Sequence, residues 1–250
     1  MTDVSVERRD AVTIVELHRP PHNFFDHGLI AELAGALEDL EGDVSCRATV
    51  LASEGKSFCA GADFSGASGS VDGGSLYQEA LRLFAVPLPI VAAVHGPAIG
   101  GGLGLAVVAD FRVTCPEARF AANFTQLGFH PGFALTVTLP ELIGRQAARD
   151  LFFTGRRING EEATRIGLAD ECVEQAAVRD RAVERAQAIA ASAPLAVRAV
   201  KATLDLGRVE RLRAATDWEL SEQARLMATD DAREGIRASI ERRSPSFDGR

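Results

Sequence analysis

Two short segments rich in small residues carry the clearest chemical signal in this sequence. The first is Ser57-Phe58-Cys59-Ala60-Gly61-Ala62-Asp63-Phe64, shortly after the apolar run Ala48–Ala52 (ATVLA). The second is His95-Gly96-Pro97-Ala98-Ile99-Gly100-Gly101-Gly102-Leu103, directly after Ile90–Val94 (IVAAV), with the helical run Leu105–Ala109 beyond it. Small residues let backbone N–H groups approach a ligand closely, and a helix opening there favours negative charge. Two such loops side by side can aim two N–H donors at one oxygen, the arrangement of an oxyanion hole. Taken singly, either loop reads more simply as a tight strand-to-helix turn. A dinucleotide fingerprint fits poorly, because Gly100-Gly101-Gly102-Leu103-Gly104 lacks the G-x-G-x-x-G spacing and no P-loop lysine follows. It is the pair that points to charge stabilisation.

The elements that must hold these loops are legible as alternating strands and helices. Val12–Leu17 (VTIVEL) is a strand ended by the turn signal Arg19-Pro20-Pro21. Leu29–Leu40 places Leu29, Leu33, Ala36, Leu37 and Leu40 on one helical face. Ala48–Ala52 and Ile90–Val94 are nearly continuous apolar runs, the pattern of strands covered on both sides. Ser75–Phe84 reads as a helix whose exit is marked by Pro87 and Pro89, and Phe111–Thr114 as a further strand. Such alternation indicates a layered α/β core. Beyond Cys172–Val173 no strand signal appears. Ala176–Ala193 and Val209–Ala228 are helical, and Pro194 suits the first turn of a helix between them. These shifts suggest a core over residues 1–192 and a helical portion over 193–250.

In order and spacing, several segments together resemble the crotonase (enoyl-CoA hydratase/isomerase) superfamily. They include Phe58–Asp63, Ala92–Gly102, Ala109-Asp110, Leu127-Gly128-Phe129-His130-Pro131-Gly132, Phe153–Ile158, Ala163–Leu168 and Glu241–Phe247. The resemblance implies a spiral of repeated ββα units followed by helices that build a homotrimer or a dimer of trimers. It implies an acyl-CoA ligand, with coenzyme A as part of the substrate and no separate cofactor or metal. Its thioester carbonyl would sit between the backbone N–H groups of Ala62 and Gly101. His22, Asn23 and Phe24 fall in a stretch that approaches coenzyme A in the family. They are expected around the substrate with Ala60, Gly61, Asp63, Gly100, Gly104 and Phe124.

The sequence also departs from the hydratase pattern. Hydratases of this family use two glutamates, and the matching positions here hold Gly104 and Phe124. Neither side chain can activate water or deliver a proton. Simple hydration and glutamate-dependent isomerisation are therefore both disfavoured. His130, in a segment that lines the acyl pocket in the family, becomes the candidate acid/base near neutral pH. For His22 and His27 a solvated place at a helix entry is the plainer reading, with Asp26 or His27 as its N-cap. Asp63 is expected to cap the helix after its loop, Asp110 to tie down the strand that follows it, and Cys59 to pack rather than react. A non-catalytic acyl-CoA binding protein of the same fold is the alternative function.

Composition sets the outer limits. The chain has 250 residues and a formal net charge of -8, with 46% hydrophobic and 25% charged residues, as in ordinary globular proteins. Residues 1–180 carry net -10 and residues 181–250 net +2, so the tail can offer positive charge to an anion. An acidic chain argues against nucleic acid as a partner. Cys46, Cys59, Cys115 and Cys172 have no metal-ligand spacing. With no signal-peptide pattern and no apolar run of membrane-spanning length, a reduced, cytoplasmic location away from membranes is expected.

Overall fold

The computed structural model describes residues 2–62 and 73–250. The chain opens with β1 (Val4–Arg9) and β2 (Val12–Leu17), paired antiparallel through the turn at Asp10-Ala11. Helix α1 (His27–Asp39) starts where Asp26 accepts from the Leu29 N–H at 2.9 Å, the expected cap. Then come β3 (Ala48–Ser53), α2 (Gly73–Ala85), β4 (Ile90–Val94) and β5 (Ala98–Ile99). They are followed by α3 (Gly101–Ala106), β6 (Phe111–Thr114) and β7 (Arg119–Ala121). A 3-10 turn over Asn123–Leu127 leads to α4 (Leu135–Thr154), β8 (Ile158–Asn159), α5 (Gly160–Arg165) and β9 (Glu171–Cys172). Helices α6 (Val178–Ala190), α7 (Pro194–Leu204), α8 (Arg208–Met227) and α9 (Asp230–Glu241) complete the described chain.

The strands form a six-stranded sheet in the order β1-β2-β3-β4-β6-β9 and a three-stranded sheet in the order β5-β7-β8. Every pairing of the larger sheet after β1·β2 is parallel. Every residue of β3 and β4 is buried, which explains their unbroken apolar sequence. Parallel neighbours need helical crossovers, and α1 and α2 pack against each other as two of them.

The helix after the second glycine loop begins at Gly101 and ends at Ala106, earlier than the expected Leu105–Ala109. Four short strands (β5, β7, β8 and β9), the charged edge strand β1 and helix α9 go beyond the sequence reading. Asp110 does anchor its strand: its Oδ2 accepts from the Ile90 N–H at 2.8 Å, and Lys201 Nζ lies 2.6 Å from Oδ1.

Candidate functional site

The two glycine loops are laced to one another by backbone hydrogen bonds. Cys59 donates to Pro97 O at 3.0 Å and Ile99 donates to Cys59 O at 3.1 Å, while Gly100 donates at 2.8 Å to Ala121 O at the end of β7. Phe25 donates to Gly61 O at 3.0 Å, which pulls the first loop onto the start of the α1 segment. The loops meet so closely that side chains are excluded. A Cβ on Gly61, itself at φ +102°, would lie 2.9 Å from Ile99 O and 3.9 Å from the Gly101 nitrogen. A Cβ on Gly102 would lie 2.0 Å from Cys59 O. Neither the Ala62 nor the Gly101 N–H has a hydrogen-bond partner among the described residues. Cys59 is fully buried here, and burial pushes its thiol up to about 12, so it packs and does not act as a nucleophile.

Both N–H groups belong to residues lining a cavity of about 660 Å³. Ala60, Gly61, Gly100, Phe24 and Phe124, five of the residues expected around a substrate, also line it. Four other candidates do not. Asn23 is buried at φ +50°, its Nδ2 donating to Glu54 O and Ser57 O at 2.6 and 2.8 Å, so it holds the loop from behind. His22 is exposed, with Nδ1 3.2 Å from Ser57 Oγ. Asp63 lies outside the described residues.

Gly104 is buried beneath Phe133: a Cβ there would sit 2.7 Å from Phe133 Cβ. Phe133 thus fills the space that a glutamate side chain would need. His130, the fourth, does not line the cavity, although its neighbours Phe129, Gly132 and Phe133 do. Its ring Nδ1 is 2.8 Å from Pro131 O, and its carbonyl accepts from Gln223 Nε2 at 3.0 Å.

Phe133 is held in place by a group that the sequence reading missed. Phe133 and Ala134 have φ of +62° and +58°, a conformation that non-glycine residues rarely adopt. Glu219 on α8 secures it, its carboxylate accepting from the Ala134 and Thr136 N–H groups at 2.9 and 3.0 Å and from Thr136 Oγ1 at 2.5 Å. Its spacing gave a signal, since Glu219 shares a buried helical stripe with Leu212 and Thr216. Burial pushes the Glu219 carboxyl up to about 7, against the pull of those donors.

A raised folded value means the native state holds this proton where the unfolded chain has lost it. Glu219 therefore favours folding most below about 4.5, and that contribution is lost as pH rises through about 7. Glu219→Gln, which has no charge to bury, should gain about 3 kcal/mol relative to wild type over that window. Urea unfolding of both proteins across pH 4.5 to 7 reads this directly. A constant difference would mean that Glu219 titrates as an ordinary carboxylate.

Among the described residues no three His, Cys, Asp or Glu side chains gather to hold a metal ion, and no helix is long and apolar enough to cross a membrane. An α/β fold with two interlocked glycine loops opening onto a cavity lined mainly by apolar residues defines the class of this protein, and comparison supplies its family. The enoyl-CoA hydratase/isomerase family model matches residues 7–250. A probable enoyl-CoA hydratase of Bacillus subtilis is 31% identical over 257 residues, covering 100% of both chains. A short-chain-enoyl-CoA hydratase of Clostridium acetobutylicum is 32% identical over 254 residues, covering 97% of this chain and 96% of its own. The crystal structure of an enoyl-CoA hydratase/isomerase from Pseudoalteromonas atlantica superimposes with a TM-score of 0.89 at 30% identity, over 99% of this chain and 100% of that one. The chain belongs to the enoyl-CoA hydratase/isomerase family, within the crotonase superfamily.

Proposed function

We propose that this protein acts on an acyl-CoA thioester by stabilising an enolate oxygen between the backbone N–H groups of Ala62 and Gly101. The observation that carries this reading is that the two N–H groups, bonded to nothing else among the described residues, belong to residues lining the same cavity. Preorganised donors of this kind contribute about 3–4 kcal/mol each to the stabilisation of developing oxygen charge. The reaction differs from water addition by paired glutamates, since Gly104 lies under Phe133 and Phe124 supplies an apolar wall. His130 is not part of this reading, because it lies off the cavity.

A second reading, an acyl-CoA binding protein without turnover, draws on one observation. The described lining contains no carboxylate and no imidazole. A panel of CoA thioesters separates the two by turnover against binding alone. Under either reading a thioester raises the melting temperature with dose, and a CoA thioether lacking the carbonyl binds at least about tenfold more weakly. No shift with any thioester at millimolar concentration would overturn both readings.

The assembly we propose is a homotrimer or a dimer of trimers. Leu195, Leu204 and Leu206 are about 80% exposed and Trp218 66%, which leaves a large apolar surface around α7 and α8. Light scattering should report three or six chains, and a monomer at micromolar concentration would refute the assembly.

A further inference from the structure

Five phenylalanines (Phe24, Phe25, Phe124, Phe129 and Phe133) line the cavity, out of 13 in the whole chain. They meet one another at angles. Phe124 and Phe129 are T-shaped at 6.0 Å, and Phe25 and Phe133 are tilted at 5.7 Å. A wall of five phenylalanines offers the edge and face contacts that another aromatic ring engages best. A rigid ring also loses less internal freedom on binding than an alkyl chain of equal size.

Asn123, Arg157 and Ser239 add polar groups to the lining, and Tyr77 and Gln223 form a hydrogen-bonded pair within it. Tyr77, the only tyrosine in the chain, donates its Oη–H to Gln223 Oε1 at 2.7 Å. Gln223 in turn donates from Nε2 to His130 O at 3.0 Å. A carbonyl can only accept, so this second bond fixes which end of the amide faces Tyr77. Room for the pair depends on Gly132, where a Cβ would fall 1.8 Å from Tyr77 Oη and 2.6 Å from Gln223 Nε2. Burial and the nearby Glu219 carboxylate push the phenol well above its ordinary range, so Tyr77 keeps its proton. Tyr77 Oη also accepts from the Phe133 backbone N–H, so the pair retains one Gln223 Nε2–H to give and one lone pair on each oxygen to receive. A hydroxyl, which gives and receives, matches that capacity. An apolar atom pressed over the pair would leave it unsatisfied.

We propose that the acyl group this cavity takes is aromatic and carries a ring hydroxyl that docks on Tyr77 and Gln223. The proposal rests on the thioester reading above and names the substrate class for the same site. Calorimetric titration with hexanoyl-CoA, benzoyl-CoA, 3-hydroxybenzoyl-CoA and 4-hydroxybenzoyl-CoA tests it. Benzoyl-CoA should bind about tenfold tighter than hexanoyl-CoA. The better of the two hydroxylated thioesters should gain a further factor of about three to ten. In Tyr77→Phe, which keeps the ring and loses the hydroxyl, the ratio of hydroxylated to plain benzoyl affinity should fall to about one. Gln223→Leu should lower the same ratio. Hexanoyl-CoA binding as tightly as benzoyl-CoA, or a ratio unchanged in both variants, would overturn the proposal. Failure of all four thioesters to bind would instead overturn the thioester site beneath it.

Discussion

Gly102→Ala is expected to lower stability by at least about 3 kcal/mol and to reduce any turnover at least about 10²-fold. The methyl group would fall 2.0 Å from Cys59 O and 2.7 Å from Cys59 C, both backbone atoms that cannot rotate away. Cys59 is itself tied to Pro97 and Ile99, so relief requires the two loops to part. Parting them moves the Gly101 N–H away from Ala62, so stability and chemistry should fail together. Gly35→Ala is the control. It lies in α1 with nothing within 4 Å of the added carbon, and it should be neutral or stabilising by up to about 1 kcal/mol. Urea unfolding and thioester binding measure both. A Gly102→Ala protein with wild-type stability and affinity would show that the loops can separate without loss.

What the sequence disclosed follows the range of the interactions involved. β3 and β4 were readable because burial on both faces writes an unbroken apolar run, and Asp26 because a cap is a local contact. β5, β8 and β9 have two residues each, too few to express a period of two. Within the site, the glycine loops announced themselves because close backbone approach demands glycine at Gly61 and Gly102. Tyr77 and Gln223 did not, since they lie 146 residues apart on α2 and α8 and only tertiary packing brings them together. His130 shows the converse. Its segment does line the cavity, yet the residues that face inward are Phe129, Gly132 and Phe133, and the imidazole between them turns back onto Pro131 O. A resemblance can bring a segment to a cavity, but which side chains a tight turn sends inward depends on its dihedral angles.

The widest change in activity is expected from introducing carboxylates at Gly104 and Phe124, and the order of substitution decides whether it appears. Wild-type protein should hydrate crotonyl-CoA far more slowly than a two-glutamate enzyme, each acid–base group being worth about 10²–10⁴-fold. Gly104→Glu alone should destabilise the protein without creating a hydratase, because its Cβ would lie 2.7 Å from both Cβ and Cγ of Phe133. That ring cannot move aside while Glu219 holds the Ala134–Thr136 turn. Phe133→Gly removes the obstacle and suits φ +62°, where glycine carries no strain. Phe124→Glu then brings a second carboxylate to the cavity near Gly100, where an added Cβ would lie 3.8 Å from the Phe124 ring. One carboxylate can activate water while the other delivers a proton to the α-carbon, with the proposed donors Ala62 and Gly101 at the enolate oxygen. The triple variant should therefore add water to crotonyl-CoA at least about 10²-fold faster than wild type, and the double variant that keeps Phe133 should not. The fall in enoyl-thioester absorbance follows the reaction. A triple variant that binds crotonyl-CoA as wild type does but hydrates it no faster would mean that Phe133 is not what separates this site from a hydratase.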